Sequence, residues 1–96
     1  GKVDVAVNAT GWGLLKPLTE ISEQELDDLV ALQFKGVHHF LASAVTHMRG
    51  GGSIIQISSA STFALLWNHA AYIGTKSGPD ALIRCVANEY GAQGIR

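Results

Sequence analysis

The fold is decided by residues 50–59, whose sequence is Gly-Gly-Gly-Ser-Ile-Ile-Gln-Ile-Ser-Ser. The glycines interrupt the chain, and the short apolar run behind them, residues 53–58, predicts a strand that ends just before Ser59. A second apolar run, Val-Asp-Val-Ala-Val at residues 3–7, predicts a buried strand near the start. Two strands joined by a long helical connection lie parallel to each other. The sequence therefore predicts an α/β fold with a parallel sheet.

The connection between the two strands is predicted to be one long helix. Turn-forming residues 8–13 follow the first strand, and a loop containing Pro17 leads to residue 21. Ser22, with Glu25 three positions later, has the pattern of a capping box. Apolar residues then recur at helical spacing until Arg49. They are Leu26, Leu29, Val30, Phe34, Val37, Leu41, Ala44 and Val45.

A second long helix is predicted after the second strand. Residues 60–69 form an apolar loop, and the helix runs from about Ala70 to Tyr90. Pro79 lies inside this helix and cannot donate a hydrogen bond to the carbonyl of Thr75. We therefore expect a kink or a local loosening just past Lys76.

Three residues near the carboxyl edge of this sheet carry chemistry. Tyr72 and Lys76 lie about one turn apart on one face of the predicted helix. An ammonium beside a phenol favours the phenolate, and a phenol ready to exchange its proton suits carbonyl and alcohol chemistry. Ser59 follows the second strand, at the edge where open α/β sheets bind their ligands.

Composition excludes several classes of function. Seven basic and eight acidic residues in a chain of 96, with 47% hydrophobic residues, give no basic surface for a nucleic acid. No apolar stretch approaches the roughly 18 residues that span a bilayer, and the first residues lack the apolar core of a signal peptide. We therefore expect a cytoplasmic protein with no nucleic-acid or membrane partner.

Cysteine and histidine offer no further site. Cys85 is the only cysteine, which excludes an internal disulfide, and it is expected to be buried and inert. None of the four histidines has a partner four residues further along a helix, so no metal site is predicted.

The chain is expected to be part of a longer protein. A strand is predicted from the first residues, and residues 92–96 stop where another strand is expected to start. Two strands are too few for a parallel sheet, which needs helices on both faces and further strands along its edges. We therefore expect residues 1–96 to form one partial domain.

Four short motifs occur in a characteristic order. Residues 8–11, Asn-Ala-Thr-Gly, follow a strand, and residues 33–36, Gln-Phe-Lys-Gly, lie in the crossover helix. Ser59 stands thirteen residues before Tyr72, which with Lys76 gives Tyr-x-x-x-Lys. These motifs resemble the Asn-Asn-Ala-Gly, Asn-x-x-Gly, catalytic serine and Tyr-x-x-x-Lys of the short-chain dehydrogenase/reductase family. The resemblance implies two strands and two long helices of a Rossmann-type doubly wound parallel sheet, hence a partial NAD(P)-binding domain over residues 1–96.

The resemblance also implies a reaction, namely hydride transfer between NAD or NADP and a secondary alcohol or ketone. Tyr72 would be the acid/base on the substrate oxygen, and Ser59 would orient that oxygen. Ser58 is the competing serine, and the thirteen-residue spacing favours Ser59. Lys76 would favour the phenolate of Tyr72 and hold the nicotinamide ribose. Gln33 stands where the family has an asparagine that supports a proton-relay water, largely through its backbone carbonyl.

Contacts with the cofactor and the substrate follow from the same resemblance. The implied cofactor-binding residues are Asn8, Ala9, Thr10, Gly11, Tyr72 and Lys76. The loop before the catalytic helix borders the substrate in the family, and the candidate substrate contacts are Trp12, Ser61, Trp67 and His69. The apolar side chains of this loop fit an apolar pocket with His69 as a polar contact. Packing into the core explains them as well.

Two departures from the family pattern and one absence bear on activity. The amide of Gln33 is longer than that of asparagine, which we expect to shift the proton relay and to reduce activity without abolishing it. Ala9 and Thr10 remove an amide that ties adjacent strands together, while backbone contacts at Asn8 and Gly11 would survive. A Gly-rich turn for the pyrophosphate does not occur in these 96 residues. We therefore expect no oxidoreductase activity from the isolated polypeptide.

Two alternative functions remain open. A non-catalytic relative that keeps the fold for binding or assembly is indicated by Gln33, Ala9 and Pro79, whereas the intact set of Ser59, Tyr72 and Lys76 argues against it. Nucleotide-sugar epimerases also carry Tyr-x-x-x-Lys, but the turn at residues 8–11 and the capped crossover helix fit the ordinary short-chain group better.

Assembly is a further implication of the resemblance, because the family packs these two helices against their counterparts in dimers and tetramers. We therefore expect the full-length protein to be a homo-oligomer that acts on a small-molecule alcohol or ketone. The apolar positions offered to a partner would include Phe40, Ala44, Ala81, Leu82 and Cys85.

Overall fold

A computed structural model, which describes residues 1–96, contains a parallel two-stranded sheet with two helices packed on one face. Strand β1 is Val5–Asn8 and strand β2 is Ser53–Gln56, with Val5 opposite Ser53 and Asn8 opposite Gln56. The helices are α1 (Glu23–Val30), α2 (Gly36–Thr46) and α3 (Ala70–Tyr90). Short 3₁₀ turns occur at Leu18–Glu20, Ala60–Thr62 and Gly91–Gln93. The predicted α/β fold with parallel strands is confirmed.

Only one face of the sheet is covered, so the prediction of a buried first strand is wrong for half of its side chains. Strand residues alternate between faces, and Ala6 and Ile54 face the helices and pack in the core. Val5 and Val7, on the opposite face, are 58% and 55% exposed. The first strand also begins two residues later than predicted, and the second ends at Gln56 instead of Ser58.

The core lies between α2, α3 and the inner face of the sheet. Its buried apolar side chains are Val37, Leu41, Ala44, Met48, Ile54 and Ile95. Ile95 enters the core because residues 94–96 pair with β2 on the side away from β1: the Arg96 amide donates to the Gly52 carbonyl at 3.0 Å, and the Ile54 amide donates to the Arg96 carbonyl at 2.7 Å. The pairing lies where the sequence predicts the start of another strand.

The crossover helix is divided, contrary to the prediction of one continuous helix to Arg49. A π-helical turn, Ala31–Lys35, separates α1 from α2, and α2 ends at Thr46. The Gly36 amide closes this turn by donating to the Ala31 carbonyl. A side chain at residue 36 would bring a Cβ to 3.2 Å from that carbonyl oxygen, which favours glycine there. The extra residue in the turn shifts the helical stripe, and Leu26 and Phe34 are partly exposed.

Helix α3 agrees with its predicted range, Ala70–Tyr90. Pro79 is buried, and the loosening expected past Lys76 does not interrupt the helix. Cys85 is exposed on this helix, so the prediction of a buried thiol is wrong. No helix has the length and apolar character needed to cross a membrane.

The predicted capping box at the start of α1 is present and provides a test of stability against pH. The Ser22 hydroxyl accepts from the Glu25 amide at 3.0 Å, and a Glu25 carboxylate oxygen accepts from the Ser22 amide at 2.9 Å. The Lys16 ammonium donates to the same oxygen at 2.9 Å. The hydrogen bond from the Ser22 backbone, followed by that from Lys16, lowers the pKa of Glu25 from 4.5 to about 2.

Because the pKa of Glu25 is lowered by folding, its contribution to stability is complete above pH 4.5 and is lost as the pH falls towards 2. We expect Glu25→Gln, which keeps an acceptor for the cap but does not titrate, to remove this part of the acid destabilisation. The measurement is the thermal unfolding temperature of wild type and variant at several pH values between about 2 and 4.5. Glu23→Gln, in the same turn but outside the capping box, is the matched control and should keep the wild-type pH dependence.

Candidate active site

Lys76 is a buried cation at the carboxyl edge of the sheet. Only 5% of its surface is exposed. Its Nζ donates to the carbonyl of Thr10 at 3.1 Å and to the carbonyl of Ile57 at 3.4 Å. Thr10 follows β1 and Ile57 follows β2, so the ammonium lies across the carboxyl ends of both strands. A buried charge needs such partners, and this edge is where open α/β sheets bind ligands.

The turn after β1 is shaped to receive this ammonium. Buried Asn8 accepts through Oδ1 from the amide and the hydroxyl of Thr10, at 3.1 and 2.8 Å, a turn that an Asn side chain stabilises. The carbonyl of Thr10 remains available to Lys76. A Cβ on Gly11 would lie 3.0 Å from Lys76 Nζ, a close contact that favours glycine at residue 11. Ala9 is exposed.

Gln33 lies in the π-helical turn and joins two other elements. Its side chain is 1% exposed. Its Oε1 accepts from the Trp12 amide at 3.0 Å, and its Nε2 donates to Thr75 Oγ1 at 2.6 Å. The hydroxyl of Thr75 donates in turn to the carbonyl of Ala71 at 2.8 Å. The side-chain amide of Gln33 therefore connects the turn after β1 with helix α3.

Ser59 begins the 3₁₀ turn that follows β2. Its Oγ accepts from the Ser61 amide at 3.2 Å and lies 2.8 Å from Ser61 Oγ. Ser61 is buried, and its hydroxyl is engaged with Ser59. The neighbouring Ser58 has a buried hydroxyl without a hydrogen-bond partner. The two serines weighed in the sequence thus differ, because only the hydroxyl of Ser59 has a partner that fixes its position.

Tyr72 lies in the first turn of α3, half-buried, next to the loop that precedes the helix. The His69 ring packs edge-on against the Tyr72 ring with centroids 5.6 Å apart, and its Nδ1 lies 3.0 Å from the Trp67 carbonyl. The Trp67 side chain itself is 90% exposed, and Phe63 and Leu65 are also largely exposed. Core packing, one of the two explanations for this loop, is therefore wrong for these side chains.

Trp12 is the fourth candidate substrate contact and follows the turn after β1. Its side chain is partly exposed, and its amide is held by Gln33. It borders an open pocket that it shares with Asp28, Ala31 and Leu32.

Thr75 is the residue of this site that the sequence alone did not single out. It is buried, it lies between Tyr72 and Lys76, and it receives the hydrogen bond from Gln33. The sequence feature that could have identified Thr75 is its position directly before the lysine of Tyr-x-x-x-Lys. Its partner is 42 positions away in the chain, which no local pattern reveals.

Across residues 1–96, no group of three or more His, Cys, Asp or Glu side chains is arranged to hold a metal ion. The polar chemistry of this edge consists of a phenol, an ammonium, hydroxyls and amides. Fold and site together define a segment of a Rossmann-type α/β domain, with a Tyr-x-x-x-Lys helix at the carboxyl edge of its parallel sheet.

Comparison with known proteins assigns this segment to a family. The family model described as Enoyl-(Acyl carrier protein) reductase matches residues 1–96. A D-threitol dehydrogenase of Mycolicibacterium smegmatis is 31% identical over 98 residues, covering 100% of this chain and 38% of that protein. The chain belongs to the short-chain dehydrogenase/reductase family.

Solved structures give the same assignment. A putative dehydrogenase from Burkholderia cenocepacia with bound NADP superimposes with a TM-score of 0.94 and 36% identity, covering 98% of this chain and 36% of that one. A gluconate 5-dehydrogenase from Burkholderia cenocepacia in complex with NADP and tartrate gives a TM-score of 0.95 and 26% identity, covering 100% and 38%. The chain therefore spans little more than a third of the length of the proteins it matches.

Proposed function

We propose that the protein carrying this segment is an NAD(P)-dependent oxidoreductase that interconverts a secondary alcohol and a ketone, with Tyr72 as the acid/base. The observation that carries the proposal is the buried ammonium of Lys76, which lies across the carboxyl ends of both strands, one helical turn after Tyr72. The dehydrogenase names of the relatives support the same class of reaction.

The donors of Lys76 leave room for a cofactor contact. An ammonium has three N–H donors, and the carbonyls of Thr10 and Ile57 engage two of them. The third is suited to a ribose hydroxyl. Backbone groups of the turn at residues 8–11 line the same edge, and the close approach of Gly11 to Lys76 keeps a side chain out of it. Bound NAD or NADP would supply or accept the hydride, and the NADP in the two matched structures makes NADPH the first cofactor to try.

The chain's own residues would manage the proton and the orientation of the substrate. Tyr72 would donate a proton to the carbonyl oxygen during reduction and remove it during oxidation. Ser59 would hydrogen-bond the same oxygen, and its contact with Ser61 would keep its hydroxyl in place. The backbone carbonyl of Gln33, in the π-helical turn, would hold a water that returns the proton to Tyr72.

The substrate proposed for this site is a small, largely apolar ketone or alcohol. An open pocket of about 460 Å³ lies beside His69 and is lined mainly by apolar side chains, including Leu18, Leu65, Leu66 and Ile73. The edge-on contact of His69 with Tyr72 connects this pocket to the proposed acid/base. Trp67 and Trp12 would provide further apolar surface, and His69 would be the polar contact.

The test uses the full-length protein with NADPH and NADH against a panel of aliphatic and aromatic ketones, following the absorbance of the reduced nicotinamide. We expect turnover with at least one pair, lost in a Tyr72→Phe variant. A folded protein that binds a nicotinamide cofactor but turns over no ketone or alcohol would contradict the proposal and favour the non-catalytic alternative.

The isolated 96-residue polypeptide is a separate case, for which we predict no measurable turnover. It has no Gly-rich turn to hold a pyrophosphate, and that turn at a helix amino terminus supplies much of the grip on a dinucleotide. NADPH- or NADH-dependent turnover above that of a Tyr72→Phe polypeptide would refute this prediction.

We also propose that the full-length protein is a homo-oligomer assembled through the outer surface of α2 and α3. Of the positions suggested by the sequence, Leu82 and Cys85 line an open groove of about 190 Å³ between these helices, and Ala81 is exposed. Ala44 is buried in the core, so its inclusion among the interface positions is wrong. Sedimentation as a monomer at micromolar concentration would rule the assembly out.

A further inference from the structure

We infer that Gln33 and Thr75 form a positioning pair that sets the place of Tyr72 and Lys76, and that the length of the glutamine is required for it. The kinetic part of this inference rests on the proposed oxidoreductase function. It reverses the expectation from the sequence, in which Gln33 is a departure that reduces activity. In this chain we expect glutamine at residue 33 to support activity and asparagine at the same position to reduce it.

The direction of each hydrogen bond in the pair follows from its partners. The Trp12 amide can only donate, so the atom that it meets at 3.0 Å is the Oε1 of Gln33. The hydroxyl proton of Thr75 goes to the carbonyl of Ala71 at 2.8 Å, with the carbonyl of Tyr72 next at 3.2 Å. Thr75 Oγ1 therefore accepts from the Nε2 of Gln33. One unbroken chain of hydrogen bonds runs from the turn after β1 to the carbonyl of Ala71, the residue before Tyr72.

Each end of this chain of hydrogen bonds adjoins the proposed chemistry. At one end, Trp12 follows Gly11, where a Cβ would lie 3.0 Å from the Lys76 Nζ and 3.4 Å from the Oε1 of Gln33. At the other end, Thr75 is the residue before Lys76. Gln33 and Thr75 are both buried, so water does not replace a lost hydrogen bond easily.

The bridge depends on the number of carbons in the side chain. Asparagine is shorter by one methylene, about 1.5 Å. Hydrogen bonds of 3.0 and 2.6 Å on opposite sides of one amide then cannot both stay within the range of about 3.2 Å that such bonds require. The shorter amide would keep one partner and release the other, and the turn at residues 8–12 would lose its fixed distance from α3.

The kinetic experiment uses Gln33→Asn, Thr75→Val and the double variant in the full-length protein. We expect each single variant to lower kcat roughly 10- to 100-fold, the range for a small misplacement of catalytic groups. The double variant should lose no more than the worse single one, because both changes break the same bridge. Thr75→Ser, which keeps the hydroxyl, should stay close to wild type. A purely structural role for the threonine would not produce this pattern of coupling and rescue.

Matched controls come from the surface of the same molecule. Gln24→Asn shortens an exposed glutamine whose Nε2 donates to Asp28 at 2.8 Å, and Thr46→Val removes an exposed hydroxyl that donates to the Ser43 carbonyl. Both should leave kcat unchanged. Gln33→Asn activity equal to or above wild type, or losses from Gln33→Asn and Thr75→Val that add, would overturn the inference. If Thr75→Val does not fold, the kinetics of Gln33→Asn, which is the smaller change, are sufficient to test the inference.

A second measurement separates this inference from the proposed function. Hydrogen exchange of the Trp12 amide, followed by NMR on the same proteins, reports the bridge without any substrate. We expect slow exchange in wild type and clearly faster exchange in Gln33→Asn, with Gln24→Asn unchanged. If the wild type showed no turnover, the proposed function would be wrong. The exchange rates would still show whether Gln33 and Thr75 form the bridge. Equal exchange rates for Trp12 in wild type and Gln33→Asn would disprove the bridge.

Discussion

Replacing Tyr72 with phenylalanine is expected to lower kcat of the full-length protein by roughly 10²- to 10⁴-fold, the contribution typical of a general acid/base. Phenylalanine keeps the aromatic ring that packs edge-on against His69 and removes only the hydroxyl. The helix and the Lys76 contacts with Thr10 and Ile57 do not involve that hydroxyl. Tyr72 is also a candidate cofactor contact, but Lys76 keeps its own contacts, so the KM for the nicotinamide cofactor should change much less than kcat.

Tyr90→Phe is the matched control, because the chain has one other tyrosine and it lies at the far end of the same helix. It should leave kcat and both KM values as they are. Steady-state kinetics in both directions, with the two variants purified in parallel, give the comparison. A Tyr72→Phe protein that retained wild-type kcat would show that another group, or water, delivers the proton, and the proposed role of Tyr72 would be wrong.

Local patterns in the sequence predicted the parts of this fold that depend on local contacts. Ser22 and Glu25 are three residues apart, and their mutual hydrogen bonds need no other element, so the start of α1 was predictable. The same is true of the boundaries of α3. Its Pro79 was expected to disturb the helix, yet helix α3 continues through that buried proline.

Features that depend on distant partners were not predictable from local patterns. The π-helical turn at Ala31–Lys35, which Gly36 closes, occurs where the periodicity predicts an ordinary helix. It places Gln33 between Trp12 and Thr75, and it packs the Phe34 ring so close to α3 that a Cβ on Gly78 would lie 2.7 Å from it. These contacts join residues more than 20 positions apart.

The exposure of the outer sheet face has a similar origin. An apolar run such as Val-Asp-Val-Ala-Val predicts a strand, but which face is covered depends on where the helices pack. In residues 1–96 α2 and α3 pack on the face of Ala6 and Ile54, which leaves Val5, Val7 and Ile55 uncovered. The Tyr72 and Lys76 pair was predictable because one helix carries both residues, whereas the partners of Lys76 lie in the segments that follow two different strands.

Lys76→Met is expected to have a broader effect than Tyr72→Phe, because the ammonium contacts more of the site than the phenol does. Methionine keeps an unbranched stem under Gly11 but removes the charge and the donors. The carbonyl of Thr10 would lose this donor, and the carbonyl of Ile57 would keep only the Gln56 side-chain amide at 3.2 Å. A hydrogen bond from a charged group typically contributes about 1.5–3 kcal/mol. We expect a lower Tm, a higher KM for the cofactor and a kcat reduced roughly 10²-fold or more.

The pattern of these losses distinguishes the two residues. A loss mainly of kcat is the expected result for Tyr72→Phe. Lys76→Met should change kcat, cofactor KM and Tm together, because the same Nζ contacts both strand ends and, in the proposed function, would also hold the ribose of the cofactor. Lys35→Met, at an exposed lysine of the π-helical turn, removes an equal charge without these contacts and should change none of the three. If Lys76→Met raised the cofactor KM without lowering Tm, the two carbonyls would not depend on the ammonium. The lysine would then act on the cofactor alone.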